Sequence, residues 1–402
     1  MSDFPPIVAV EIGTSKVRAL VAEIDADDQL ALIGIGECAS IGVRKAEITN
    51  FDAVVGCVRL ALDNAEESAN VVIKELYMLM SGGHVQSVVN RGTIPILWDD
   101  HEIIEEDLEQ VGVIARNVNL PAERQVLHSI TQHYYVDDQP GIIDPVGMEG
   151  YKLSVDMLVV HGLMGRMRNF VRAAKQASVE VVDVAFGGLC AALAVLTPED
   201  KANGCLVIDL GAGTTDFVVY ADGIIALADS IGVGGDHVTN DIARGLRLST
   251  LAAERIKEQH ASATINLAQR GQRLSLPAES GVTAKSAKVG DLHVITHARM
   301  EELFELIRMR IARGKFAHVL GAGVVLTGGG ASMAKVADLA EQVFGLPCRI
   351  GTPRNISGFA STINSPEYAA PVGLLNYAQR SLRRDRSPGG MLDWFKRVLG
   401  GR

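Results

Sequence analysis

Asp209-Leu-Gly-Ala-Gly-Thr-Thr-Asp216 places two carboxylates, two glycines and two hydroxyls between the apolar runs Cys205-Leu-Val-Ile208 and Phe217-Val-Val-Tyr220. Both runs are β-prone and too short for helices, so the stretch reads as strand, glycine-rich turn, strand. Gly211 and Gly213 let backbone N–H groups approach an anion with no Cβ in the way. Thr214 and Thr215 add hydroxyl donors, and Asp209 is suited to face a phosphate-bound divalent cation. A Walker loop differs, running from strand into helix with Gly-Lys-Ser/Thr. Aspartate and glycine also make ordinary hairpin turns, so the stretch alone leaves both readings open.

The design recurs about 200 positions earlier. Ile7-Val-Ala-Val10 leads into Glu11-Ile12-Gly13-Thr14-Ser15-Lys16, and Val17 to Glu23 resumes the strand pattern. Lys16 adds a point charge suited to a β- or γ-phosphate. Two such hairpins facing each other would hold one polyphosphate from both sides. A third cluster, Leu326-Thr327-Gly328-Gly329-Gly330, follows the apolar run from Val324, with Ser332 as the expected N-cap of a helix over 333–344 and Gly345 as its C-cap. Three glycines between strand and helix let a flat ligand or a phosphate rest on bare backbone at a helix N-terminus. A fourth turn, Ser230 to Asp236, contains Gly232, Gly234 and Gly235. Spacing alone makes Glu254 and Lys257 an exposed i,i+3 ion pair, and His84, after two glycines, a structural histidine.

The remaining pattern supplies elements to position these groups. Helical spacing covers 51–69, 102–116, 164–177, 189–196 and 297–313; strand patterns cover 30–36, 75–80, 125–136, 151–161 and 179–184. The acids at 102, 105, 106, 107 and 109 are expected on a solvated helix face. With 402 residues the chain has room for two or more domains. A net charge of −10 argues against general nucleic-acid binding, and the five scattered cysteines form no Cys-x-x-Cys pair, which fits a reducing cytosol and not zinc. Met1 to Pro6 shows no signal-peptide pattern, and no apolar run reaches the 18 to 20 residues, roughly, of a spanning helix.

Taken in order and spacing, the Glu11, Asp209 and Leu326 motifs resemble the actin, Hsp70 and sugar-kinase superfamily. Val126-Leu127-His128, Gln132, Tyr134, Gly141-Ile142, Pro145-Val146-Gly147, Arg349-Ile350-Gly351 and Val372-Gly373-Leu374-Leu375 narrow the likeness to the FtsA family of bacterial cell-division proteins. The resemblance covers essentially the whole chain. It implies an α/β, two-lobed actin-like ATPase fold of duplicated RNase H-like cores. The first lobe would comprise 1–84 and 163–203 with part of 366–382, and 85–162 would be an FtsA-type inserted subdomain. The second lobe would comprise 204–238 and 318–382, with its own subdomain at 239–317. It further implies ATP with Mg2+ bound between the lobes. Gly13, Thr14, Ser15 and Lys16 would hold phosphates from one side, and Gly211, Gly213, Thr214, Thr215 and Gly235 from the other. Asp209 and Glu11 would face the metal through bound water, Gly328, Gly329 and Gly330 would border the adenosine, and Glu254 with Lys257 would reach ribose or adenine. Much of the superfamily has aspartate where this chain has Glu11, which argues for at most a slow ATPase, and no catalytic base is assigned.

The tail carries a separate signal. On a helical wheel, Met391, Leu392, Trp394, Phe395, Val398 and Leu399 share one arc of about 160°, with Lys396 and Arg397 opposite. Residues 391–402 are too few to span a bilayer, and such a helix lies in its surface. The residues from 380 onward hold seven basic side chains and two acids, suited to anionic lipid, and 383–390 reads as a basic flexible linker. By resemblance, the chain would polymerise at the inner face of the cytoplasmic membrane and tether filaments of the tubulin-like FtsZ. The FtsZ C-terminal peptide would dock near Arg299, and other division proteins would join at the division site. A type IV pilus scaffold of the PilM kind and a sugar or acetate kinase are the alternatives; the first does not need the amphipathic tail, and the second needs an acceptor pocket with a catalytic acid that the sequence does not reveal.

Overall fold

The computed structural model describes residues 5–97, 100–266, 268, 271–275, 286–314 and 316–385. The chain opens with β1 (Ile7–Ile12), β2 (Lys16–Ile24) and β3 (Leu30–Ala39), a meander whose first two strands are buried almost continuously. A small hairpin, β4 (Val43–Arg44) and β5 (Glu47–Ile48), leads into α1 (Phe51–Ala69). Asn50 caps α1 by accepting the Ala53 N–H at 3.2 Å, and Asn70 ends it in the left-handed region. The helix lies flush on β3 because Gly36 has no Cβ: one added there would stand 2.0 Å from the Ala61 carbonyl oxygen. After β6 (Glu75–Met80) the chain leaves this layer.

The excursion consists of β7 (Gln86–Pro95), α2 (Glu105–Arg116), β8 (Arg124–Val136), β9 (Gln139–Ile142) and β10 (Lys152–Leu163). They form a four-stranded sheet, β7-β10-β8-β9, with Val111 and Ala115 of α2 packed on its Ile94, Leu153, Val155 and Met157. The expected helix over 102–116 starts three residues later. Asp107, expected on a solvated face, is instead buried and accepts the Ile104 N–H at 3.0 Å, closing the first turn. The chain returns through α3 (Met164–Gln176), β11 (Glu180–Phe186), α4 (Gly187–Val195) and α5 (Pro198–Ala202).

A second meander follows: β12 (Cys205–Leu210), β13 (Thr215–Ala221) and β14 (Ile224–Ile231). Next come α6 (Gly235–Leu246), α7 (Thr250–His260), the short pair β15 (Arg273–Ser275) and β16 (Ser286–Lys288), and α8 (Val289–Arg313). The helix expected from 297 begins eight residues earlier, because Leu292 and Thr296 continue its buried stripe toward the N-terminus. After β17 (Val324–Thr327) comes a single 3-10 turn, Gly329–Ser332, and then α9 (Val336–Phe344). Ser332 is therefore not the cap; Lys335, at φ +63°, occupies that position, while Gly345 ends the helix as expected. The chain finishes with β18 (Cys348–Ile350), β19 (Ile356–Ser357), α10 (Ala360–Ile363) and α11 (Ala369–Asp385).

The two main sheets repeat one topology. The first runs β11-β6-β1-β2-β3-β19 and the second β18-β17-β12-β13-β14. In each, an antiparallel meander carries a parallel strand, β6 or β17, beside its first member, and another parallel strand beyond it. This is the duplicated, two-lobed actin-like fold. The return to the first lobe comes earlier than residue 366: Ile356 of β19 pairs with Leu30, and Val372, Leu374 and Leu375 of α11 pack in the first core. Since α11 runs to Asp385, residues 383–385 belong to that helix and not to a linker. The expected amphipathic segment, Met391 to Leu399, lies outside the described residues, as does most of the basic linker. No described helix is long and apolar enough to cross a membrane.

Candidate functional site

The duplicated hairpins bring their loops together. In the first, Glu11 pairs with Arg18 and Ile12 with Val17; in the second, Asp209 pairs with Asp216 and Leu210 with Thr215. Both loops therefore emerge at corresponding ends of the two sheets. Their approach is close: a Cβ on Gly213 would stand 2.4 Å from Thr14 Oγ1 and 2.9 Å from Lys45 Cα. Only glycine fits there. The second loop is braced from behind by α6, whose Gly235 and Asp236 N–H groups donate to the Gly211 and Ala212 carbonyls at 3.0 and 2.8 Å. Thr215 Oγ1 donates to the Val233 carbonyl at 2.8 Å. The positive end of the α6 dipole thus lies against the loop.

Between the lobes opens a cleft of about 570 Å3 whose walls include Ser15, Arg44, Asp236, Thr239 and Glu254. Farther along, Lys257 Nζ donates to Glu254 at 2.8 Å, to Thr239 Oγ1 at 2.9 Å and to the Gly235 carbonyl at 3.4 Å. The lysine side chain is only 14% exposed, so this pair is not the exposed one that spacing alone implied. On the cleft floor the triple glycine meets the second hairpin. A Cβ on Gly328 would stand 2.2 Å from Asp209 Oδ1, one on Gly330 would stand 2.8 Å from Leu210 Cβ, and Gly329 faces open space.

Three carboxylates beneath the loops are near enough to act on one another's charge. Burial pushes the Asp209 carboxyl well above its ordinary range, and the negative charges of Asp216 and Glu11 add to the effect. Burial likewise raises Asp216 to about 6, against the Ser230 and Ser81 hydroxyls that stabilise its charged form, and raises Glu11 against the opposing pull of Arg18. Concentrated, partly desolvated hard oxygens of this kind suit a magnesium ion. Among the described residues no three metal-ligating side chains converge closely enough to cage an ion by themselves. Asp209 and Glu11 are placed so that they could reach the water shell of a hydrated cation rather than ligate it directly.

An unexpected network lies behind the first loop. Arg18, 7% exposed in its side chain, donates to Glu37 at 2.7 Å, to Glu11 at 3.3 Å, to the Glu367 carbonyl at 2.9 Å and to the Glu367 carboxylate. Lys16 Nζ, read from sequence as a phosphate ligand, pairs with Glu367 at 3.2 Å and approaches Glu37 at 3.9 Å. Tyr368 donates to Glu37 at 2.7 Å and stacks under the Arg18 guanidinium. The adjoining Pro366 carbonyl accepts the Gly328 N–H at 3.0 Å and the Thr327 hydroxyl at 3.0 Å. Residues 366–368 therefore join the first hairpin to the triple-glycine turn. Sequence reasoning missed Arg18, Glu37 and Glu367; the available signal was a charged residue at position 18 within the apolar stretch from Val17 to Ala22.

Of the residues singled out from sequence, Ser15 and Glu254 line the cleft. Thr215 is fully buried with its hydroxyl given to the Val233 carbonyl, so it is not the phosphate donor that the sequence suggested, and Arg299 stands apart, on α8, donating to Asp241 of α6 at 2.6 Å. His84 is buried, its Nδ1 accepting the Leu163 N–H at 3.2 Å where the chain enters and leaves the inserted sheet. Burial, with Arg166 and Arg124 nearby, lowers its pKa to about 4, so it stays neutral and structural.

Known proteins decide the family. A 35% identity over 371 residues relates the chain to the cell division protein FtsA of Pseudomonas aeruginosa, covering 92% of this chain and 88% of that protein. This chain belongs to the FtsA family. FtsA of Escherichia coli K12 is 34% identical over 384 residues, 93% of this chain and 90% of the relative. The family described as cell division protein FtsA matches residues 206–373, and the SHS2 domain inserted in FtsA matches 82–161, the four-stranded excursion. Among solved structures, the PilM-PilN type IV pilus biogenesis complex is similar with a TM-score of 0.65 at 16% identity, over 93% of this chain and 98% of that one. MreB5 of Spiroplasma citri bound to ADP is similar with a TM-score of 0.56 at 15% identity, over 96% and 99%. These last two likenesses bear on the fold alone.

Proposed function

We propose that this FtsA-family chain binds ATP with magnesium between its two lobes and, so loaded, polymerises on the inner face of the cytoplasmic membrane, tethering FtsZ filaments there and helping assemble the division machinery. The observation that carries the reading is the meeting of the two hairpin loops at Gly213 and Thr14, a two-sided cradle with a carboxylate floor. The fold relatives of the MreB kind include structures solved with ADP and with AMPPNP, which supports a nucleotide in the corresponding cleft. Magnesium would neutralise phosphate charge. The chain's own groups would do the positioning: the loop amides and the Thr14 and Ser15 hydroxyls would face the phosphates, Asp209 and Glu11 would reach the water shell of the metal, Gly328–Gly330 would border the flat nucleoside, and Glu254 with Lys257 would meet its polar edge. Since Lys16 begins paired with Glu367, phosphate competes for it, and the exchange would be felt at residues 366–368 between the lobes.

Met391, Leu392, Trp394, Phe395, Val398 and Leu399 would enter the lipid surface, with Lys396 and Arg397 at anionic headgroups. One such tail binds reversibly; an array of linked copies binds far more tightly through avidity, so assembly and attachment reinforce each other. Arg299, on the α6–α8 face, is the proposed contact for the FtsZ C-terminal peptide. The PilM-like alternative shares the fold, but the inserted SHS2 match and the FtsA relatives favour cell division. Co-sedimentation with anionic liposomes tests the tether: with ATP the full chain pellets and a chain ending at Ser387 stays soluble. Equal pelleting of both contradicts it.

A further inference from the structure

The β4–β5 hairpin reverses direction through Lys45 and Ala46, both left-handed, at φ +52° and +54°. A two-residue turn with both central residues at positive φ usually holds Asn-Gly; a lysine and an alanine there are strained. Such strain persists only where the surroundings over-determine it. They do so here: Val43 and Ala46 are buried, Ala46 N–H donates to Thr14 Oγ1 at 3.3 Å, and Glu47 pairs with Arg166 of α3 at 2.7 Å. Thr49 and Asn50 N–H groups close the hairpin base on the Gly42 carbonyl at 2.7 and 3.2 Å. The held tip is what crosses the cleft, since Lys45 backbone is the partner that a Cβ on Gly213 would strike.

The tip carries two cations, Arg44 and Lys45, both exposed, and Arg44 is a wall of the cleft. Neither forms an ion pair among the described residues, whereas Lys16 and Arg18 are each committed to carboxylates. Arg44 shares the cleft wall with Asp236 and opposes the burial that raises that carboxyl, and Lys45 adds to the burial that lowers the His237 imidazole at the start of α6. With its backbone wedged between Thr14 and Gly213, on a turn kept in an unfavourable conformation, the tip holds two exposed, unpaired positive side chains beside the place where the loops meet, a receptor for anionic charge.

We propose that Lys45 contacts the terminal phosphate of the bound nucleoside triphosphate, with Arg44 guiding its approach, so that residues 43–48 let the first lobe distinguish triphosphate from diphosphate. This rests on the ATP-binding reading above. The test is calorimetric titration of ATP and of ADP, each with magnesium, into the full chain and its Lys45→Asn and Lys45→Arg variants. Asparagine tolerates the left-handed turn, so the hairpin keeps its shape while losing the charge. The expected result for Lys45→Asn is a loss of about tenfold in ATP affinity with ADP affinity within about twofold of wild type, and Lys45→Arg retains the preference for ATP. An equal change for both nucleotides, or none for either, overturns the assignment of Lys45 while leaving the ATP site standing. Absence of ATP binding by the wild-type chain overturns both.

Discussion

Replacing Arg18 with methionine tests whether the buried network behind the first loop holds the lobes in register. Methionine fills similar volume without charge, so packing is largely kept. Its loss strands Glu11, Glu37 and Glu367 around a site with only Lys16 left, 3.2 Å from Glu367 and 3.9 Å from Glu37. Breaking a buried ion network from one side costs about 3–5 kcal/mol; Lys16 offsets part of this, so about 3 kcal/mol is the expected deficit near neutral pH. The pH dependence follows from two groups. Glu11 has a pKa raised above 4.5 by burial, and removing Arg18 raises it further, so its charged form penalises the variant increasingly as pH climbs above that value. Glu367 has a pKa held below 4.5 by Arg18 and Lys16 against the effect of burial. Its stabilising contribution exists above 4.5, is lost as pH falls through the depressed value, and shrinks in the variant. Both effects make the deficit larger at pH 8 than at pH 5. Hydrogen exchange of β1–β3 amides is the suitable assay, because the two lobes need not unfold together. A deficit equal at both pH values, or below about 1 kcal/mol at pH 8, refutes the coupling of these charges.

Gly213→Ala inserts a Cβ 2.4 Å from Thr14 Oγ1 and 2.9 Å from Lys45 Cα, so the loops must separate. ATP affinity in a direct titration is expected to fall tenfold, roughly, with the melting temperature little changed, because the clash lies at the cleft and not in either core. Gly373→Ala acts oppositely. Its Cβ would stand 1.7 Å from the Cys190 carbonyl oxygen where α11 crosses α4, and chemical denaturation should show a loss of about 3 kcal/mol or more.

Much of this architecture was legible where chemistry is local. The two hairpins announce themselves by acid, glycine, hydroxyl and strand in fixed order, and α1 by the helical spacing of its apolar residues over 51–69. The strand Gln86–Pro95 was not, because it is an edge strand with one face largely exposed, and its Gln, Ser, Asn and Arg residues dilute the alternation. Ser332 reads as a cap because serine is favoured at helix N-caps; the 3-10 turn of Gly329–Ser332 instead postpones the helix past Lys335. The Arg18 network joins residues 19 and 349 positions apart, and the contact of Lys45 with the Gly213 loop joins the two lobes. Side-chain partners at such separations depend on which strands become neighbours, and no periodicity records that. They also change how the cleft is understood: Lys16 is paired with Glu367, while Arg44 and Lys45 of β4 and the β4–β5 turn form no ion pair among the described residues.

The central claim is that nucleotide held on the Asp209 floor licenses assembly on a membrane. The most direct measurement is co-sedimentation of the full chain and its Asp209→Ala variant with anionic liposomes, each with and without magnesium ATP. The account predicts that ATP increases pelleting of the wild-type chain severalfold, on the order of the avidity gained by linked tails, and leaves the variant at its nucleotide-free level. Equal pelleting of both proteins, unaffected by ATP, would contradict it.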